Sequence, residues 1–169
     1  VRISSIYEGT TGIQAIDLLG RKIIRDEGTE ARRLLAEIQA CATDLSSSSS
    51  IQLQEIAADL QKALQSVSKA LDWVLHVNAT NPQATFTGAY PLLQCFGFLC
   101  GGWLMAKAAF VSDGILQGDA HNAFALQKIA SAKFYSQAIL PQVHGLADTV
   151  CAGVSLAQAM RDSLADLLR

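Results

Sequence analysis

IQLQEIAADLQKALQSVSKALDWVLHVN, residues 51–78, decides the fold class. Ile56, Leu60, Leu64, Val67, Leu71 and Val74/Leu75 recur every three or four residues, the period of one helix face. Glu55, Asp59, Lys62, Lys69 and Asp72 occupy the opposite face. This is an amphipathic helix that needs an apolar partner. The serine run Ser46–Ser50 before it reads as a flexible turn with a cap at its end, and the Asn78–Pro82 segment ends it.

The same period extends outward in both directions. Toward the N-terminus a helix opens near Thr10 or Thr11 and carries Ile13, Ile16, Leu19/Gly20 and Ile23/Ile24 on its apolar face. Leu34, Leu35, Ile38, Cys41 and Leu45 continue the pattern, with Gly28 at a bend or a break between the halves. Toward the C-terminus a third helix is expected from about Thr87 to Ser112, followed by punctuation at Asp113-Gly114 and Gly118-Asp119. A fourth runs from about Asp119 through Phe124, Ile129, Phe134 and Ile139 until Pro141 kinks or ends it. If it kinks, it resumes through Leu146 and Val150. Gly153 is expected to break the chain before a last short helix with Leu156, Met160, Leu164 and Leu167/Leu168. No alternating strand pattern interrupts this row. The expectation is an all-α, antiparallel up-and-down bundle of four to five long helices.

Composition narrows the function. The chain has 169 residues, 50% hydrophobic and 17% charged, which excludes intrinsic disorder. Net charge is −2 with acids and bases mixed, so no basic face is offered to nucleic acid. Cys41, Cys95, Cys100 and Cys151 match neither a metal knuckle nor a CxxC pair and read as buried thiols in a reducing, cytoplasmic setting. His76, His121 and His144 lack a ligand motif, so no metal is expected. The first residues lack the order of a signal peptide, and the helix-like opening at Val1 without an initiator Met reads as a piece of something longer.

Two apolar features have a choice of readings. Phe86 to Ala106 carries no formal charge and is long enough to span a bilayer. Pro91, Gln94, Gly101-Gly102 and the adjacent Lys107 favour the centre of a soluble bundle. Gly97 and Gly101 form a GxxxG that lets a neighbouring helix approach closely.

Chemistry concentrates at the N-terminus. Arg2 to Arg21 reads RISSIYEGTTGIQAIDLLGR. A carboxylate, Glu8, stands beside Tyr7 and is followed by Gly9 and two hydroxyl residues just before a helix. Glycine admits a ligand close to the backbone, and a carboxylate in a dry pocket becomes a general base. The bland alternative is an acid that stabilises the helix dipole.

Ile6-Tyr7-Glu8-Gly9-Thr10, Ile13-Gln14 and Arg21 resemble the signature near the end of the acyl-CoA dehydrogenase catalytic core, I-Y-E-G-T-x-x-I-Q with an arginine seven residues after the Gln. The resemblance implies that Glu8 is the base that removes the α-proton of an acyl-CoA thioester while the β-hydrogen leaves as hydride to flavin N5. It implies that Gly9 lies against substrate and that Thr10, Thr11, Gly12, Gln14 and Arg21 serve the FAD side. Gly12 departs from the frequent Gln or Asn there, so only a backbone contact carries over. FAD is implied for the full-length enzyme, with weak or no binding to this chain alone, which is expected to be inactive.

Standard members of that family end soon after the helix with the arginine. This chain continues, and Phe96-Gly97-Phe98, Gly102-Trp103-Leu104 and Ile139-Leu140-Pro141 resemble the appended helical domain of large bacterial members, the 3-methylmercaptopropionyl-CoA dehydrogenase type. The resemblance divides the chain into residues 1–27, the last loop and helix of the catalytic core, and 28–169, the appended bundle. It also implies electron-transfer flavoprotein as acceptor and a homodimer or higher homo-oligomer. Two other readings stay open: an interaction or membrane-docking module without catalysis, marked by an outward patch of Phe96, Phe98, Trp103 and Phe110, and an acyl-CoA oxidase.

Overall fold

In the computed structural model, residues 10–167 are described, and the regular elements among them are all helical. Helix α1 (Thr11–Asp17) passes into a π-helical segment (Leu18–Ile24). Then come α2 (Thr29–Ser46), α3 (Ile51–Asn78), α4 (Pro82–Thr87), α5 (Ala89–Gly118), α6 (Ala123–Ala138) and α7 (Gln142–Leu167). The all-α expectation holds, with α2, α3, α5, α6 and α7 as the long members.

The α3 stripe is the centre of the core. Ile56, Leu60, Val67, Leu71 and Val74 are all buried at 2% exposure or less. Each such side chain contributes roughly 1.5–3 kcal/mol on leaving water. Cross-links fix the helix directions. Arg32 at the start of α2 meets Asp72 near the end of α3 at 2.6 Å, so these two run antiparallel. Glu55–Lys133 (2.8 Å) and Asp59–Ser136 (3.3 Å) advance together along α3 and α6, so those run parallel.

Pro141 separates α6 from α7, yet α7 keeps to the same helix, α5. Space for a side chain is filled at Gly102 by Leu140 and at Gly88 by Val150, while the Cys95 thiol faces the Val143 carbonyl. Residue numbers rise along α7 as they fall along α5, which is antiparallel packing.

Several expectations are corrected. Helix α5 does not stop at Ser112. It continues through Asp113-Gly114 to Gly118, because Asp113 is only half-buried and a side chain at Gly114 would meet open space, so neither residue obstructs the helix. Gly153 does not break α7. It lies inside the helix, where a Cβ would stand 2.5 Å from Thr87 Oγ1, so its role is close approach to the end of α4. The short helix α4 was not anticipated; Asn81 Oδ1 caps it by accepting from the Ala84 N–H at 3.2 Å, with Pro82 at its first position. Neither Thr10 nor Ser50 makes a side-chain cap bond; Ser48 Oγ instead accepts from the Ser50 N–H at 3.1 Å.

Gly28 is a break rather than a bend. Its φ of 78° and the φ of 55° at Glu27 form a left-handed corner between the π segment and α2. Asp26 stabilises the corner, with Oδ1 accepting from Gly28 N–H (3.1 Å) and Oδ2 from Glu30 N–H (3.0 Å).

The apolar helix α5 is long and apolar enough to cross a membrane. It also presents a stripe to the bundle: Leu92, Cys95, Leu99, Gly102, Ala106 and Ala109 are buried at three- and four-residue spacing. A buried stripe of that kind belongs to the core helix of a bundle.

Candidate functional site

Glu8 and Gly9 lie outside the described residues; the site is visible from Thr10 onward. The α1 face that enters the core is Ala15, Leu19 and Ile23, each 1% exposed or less. Of the expected stripe, Leu19 and Ile23 are in place, whereas Ile13 and Ile16 face outward, 68% and 54% exposed. The difference has a geometric cause. Ala15, Leu19 and Ile23 are spaced by four, and a regular α-helix advances 40° too far in each such step. The π segment has more residues per turn, which returns Ile23 to the face of Leu19.

That rotation sorts the polar residues. Gln14, Asp17 and Arg21 fall at i, i+3 and i+7, on one outward stripe. Arg21 Nη1 pairs with Asp17 Oδ1 at 3.0 Å while its side chain stays 74% exposed. Asp17 was not singled out from sequence; its signal was its position four residues before Arg21. Thr11, Gly12 and Gln14 are also exposed, and a side chain at Gly12 would meet nothing within 4 Å. Thr10 is half-buried. The exposed amide and guanidinium donors of Gln14 and Arg21 fit a polar, phosphate-bearing cofactor on that stripe, whereas Gly12, two residues before Gln14, lies on a different side of the helix.

The inner side of the same segment is apolar. Gly20 receives the Phe86 ring of α4: a Cβ at Gly20 would lie 3.5 Å from Phe86 Cε1 and Cζ. Beside it, Leu18, Ile23, Ala31, Leu34, Leu93 and Gly97 line an apolar cleft of about 390 Å³ between the π segment, α2 and α5.

Elsewhere the bland readings hold. Gly101 receives the ring of Tyr135, whose hydroxyl donates to the Phe98 carbonyl at 3.2 Å; a side chain at Gly97 would meet nothing within 4 Å, so only half of the GxxxG serves close approach. His144 Nδ1 hydrogen-bonds Ser66 Oγ at 2.8 Å, a link between α7 and α3. Among the described residues no group of three His, Cys, Asp or Glu side chains is placed to hold a metal. Burial raises all four thiols above their usual range, Cys95 to about 12, so they are protonated and poorly nucleophilic near neutral pH. Phe96 is buried, Phe98 and Trp103 pack against the core, and Phe110 is 46% exposed. Three of the four aromatics thus turn inward, the arrangement of a scaffold.

Residues 34–161 match the family model described as acetyl-CoA dehydrogenase C-terminal like. The chain belongs to this family. It is 37% identical over 139 residues to 3-methylmercaptopropionyl-CoA dehydrogenase of Ruegeria pomeroyi, a match covering 82% of this chain and 24% of that protein. It is 33% identical over 149 residues to the broad-specificity linear acyl-CoA dehydrogenase FadE5 of Mycobacterium tuberculosis, covering 83% and 24%. Butyryl-CoA dehydrogenase of Syntrophomonas wolfei is 28% identical over 151 residues, covering 85% and 24%. The chain thus spans about a quarter of the length of each of these relatives. The matched segment runs from within α2 into α7, so the acetyl-CoA dehydrogenase C-terminal-like region is the bundle itself, and α1 with its outward polar stripe precedes it.

Proposed function

We propose that this chain is the C-terminal part of an FAD-dependent acyl-CoA dehydrogenase that oxidises the α,β carbon–carbon bond of an acyl-CoA thioester. The observation that carries the reading is the 37% identity to a relative named as an acyl-CoA dehydrogenase, running over most of the chain. The Tyr7-Glu8-Gly9-Thr10 signature, which precedes the matched family segment, supports it as well. The domain boundary falls between residues 27 and 28, at the left-handed corner.

Glu8 is the base. An α C–H beside a thioester is a very weak acid, so the carboxylate must be kept dry and the enolate oxygen must be stabilised as it forms. The Glu8 carboxylate takes the proton, and the Glu8 backbone N–H helps polarise the thioester carbonyl. Gly9 leaves room for substrate. Thr10, Thr11, Gly12, Gln14 and Arg21 hold the cofactor side, with Arg21 oriented by Asp17. FAD, when bound, accepts the β-hydrogen as hydride. The sheet domain that binds flavin and most of the acyl pocket belong to the longer protein, so the chain alone is inactive and holds FAD weakly or not at all.

The full-length enzyme is a cytoplasmic homo-oligomer that passes electrons to electron-transfer flavoprotein. Its unpaired, protonated thiols suit a reducing compartment. The test is product analysis: the full-length protein with a panel of acyl-CoAs and an artificial one-electron acceptor should yield 2-enoyl-CoA from one chain-length class. Hydrogen peroxide formed in air at the rate of enoyl product would identify an oxidase instead. No enoyl product with any acyl-CoA would remove the enzymatic reading.

A further inference from the structure

The contact between Gly20 and Phe86 joins the segment before the matched family region to a helix within that region. Gly20 belongs to the π segment that carries Arg21, and precedes the family segment that begins at residue 34. Phe86 belongs to α4, inside that segment. We propose that Phe86 is a positioning residue for the cofactor-side helix: its ring covers the π segment at Gly20 and holds the outward stripe of Gln14 and Arg21 in place. The proposal rests on the dehydrogenase reading above and gives the appended bundle a task within it.

Three observations carry it. First, the ring faces Gly20 closely: a Cβ at residue 20 would be in ordinary van der Waals contact with Phe86 Cε1 and Cζ at 3.5 Å, so the ring covers the side of the π segment where Gly20 carries no side chain. Second, α4 is held from behind. Asn81 caps its start; Thr87 Oγ1, bonded to the Ala84 carbonyl at 2.6 Å, stands against Gly153; and Gly88 lies under Val150. A six-residue helix has little stability of its own, and these contacts with α7 give Phe86 a fixed base. Third, Phe86 is 37% exposed, so the ring does not serve mainly to fill the core. Its buried part faces an element whose π geometry is itself less stable than an α-helix and needs support from outside.

Rotation of the π segment about Leu19 and Ile23 would swing Arg21, whose ion pair among the described residues is with Asp17 on its own helix. Phe86 resists that rotation from one side. A support of this kind acts through the donor it holds, so its loss weakens cofactor retention without touching the acyl pocket.

The experiment uses the full-length flavoprotein with four variants: Phe86→Ala, Phe86→Tyr, Arg21→Ala and Phe86→Ala/Arg21→Ala. Leu53→Ala is the packing control, fully buried near the start of α3, whereas the corner at Gly28 contacts Leu75 near its end. Two readouts are taken: amide hydrogen exchange of residues 18–24, and FAD dissociation followed by flavin fluorescence. Phe86→Ala is expected to speed exchange in residues 18–24 and weaken FAD retention roughly tenfold, with KM for acyl-CoA unchanged. Phe86→Tyr, which keeps the ring, should restore both. In the Arg21→Ala background Phe86→Ala should add nothing to FAD loss.

Unchanged exchange in Phe86→Ala overturns the proposal. So does faster exchange with FAD retention intact, multiplicative losses for Phe86 and Arg21, or an equal FAD loss in Leu53→Ala. A full-length protein that carries no flavin with Phe86 in place refutes the dehydrogenase reading, and the positioning role falls with it. A flavoprotein indifferent to Phe86→Ala refutes the positioning role alone.

Discussion

Tyr135 of α6 lays its ring against α5 over Gly101 and donates its hydroxyl to the Phe98 carbonyl at 3.2 Å. The pair explains why a glycine stands in the middle of the most apolar helix of the chain. A Cβ at residue 101 would collide with the Tyr135 ring, and the helix has already bonded its backbone, so the tyrosine has to move. Gly101→Ala is expected to lower stability by about 1–3 kcal/mol despite the better helix propensity of alanine. Tyr135→Phe, which removes only the hydrogen bond, should cost about 1 kcal/mol. Urea unfolding of the two variants measures both; equal stability of Gly101→Ala and the parent would show that the ring is free to leave.

The corner between the π segment and α2 makes a prediction of opposite sign at adjacent residues. Gly28 has φ 78°, and its Cβ would stand 2.7 Å from Leu75 Cδ1. Gly28→Ala is expected to destabilise by about 1–3 kcal/mol, from left-handed strain and displacement of Leu75. Glu27, at φ 55°, already bears that strain with a side chain. Glu27→Gly should therefore be neutral or stabilising, the relief of about 1 kcal/mol offsetting the entropy of glycine. Thermal unfolding distinguishes the two, and a destabilised Glu27→Gly would contradict the corner.

Cys95 is fully buried against α7, and burial raises its thiol from the usual 9.0 to about 12. The folded state then holds the proton more tightly than the unfolded chain. Its contribution to stability is complete below pH 9 and is lost as pH rises toward about 12. Unfolding free energy should fall across that window, and Cys95→Ala should reduce the slope. Alkylation should reach Cys41, Cys100 and Cys151, all half-buried, before Cys95. Cys95 reacting first would show that α5 and α7 separate readily.

The sequence was most legible where one helix face does one job. On α3 every stripe residue named from spacing is buried or packed against the core. Legibility fell where a residue type has two uses. Gly153 and Gly114 look like helix breaks, but the first makes room for Thr87 and the second is harmless in a helix held by its buried neighbours. At α1 isoleucine marks an apolar face more strongly than alanine, so the pattern points to Ile13 and Ile16 instead of Ala15. Leu19 and Ile23 keep their expected place, and their four-residue spacing from Ala15 matches the π segment. The candidate site divides in the same way. Gln14 and Arg21 stand on one stripe and the Asp17–Arg21 pair follows their i, i+4 spacing, whereas the approach of Phe86 to Gly20 depends on packing that local pattern does not encode.

The central claim is that Glu8 is the base of a flavin dehydrogenase. The most direct test is anaerobic reduction of the flavin in the full-length protein by acyl-CoA, with Glu8→Gln beside it. The account predicts that one chain-length class of acyl-CoA bleaches the flavin absorbance, and that Glu8→Gln keeps its flavin but is not bleached. Bleaching that proceeds equally in Glu8→Gln would contradict it.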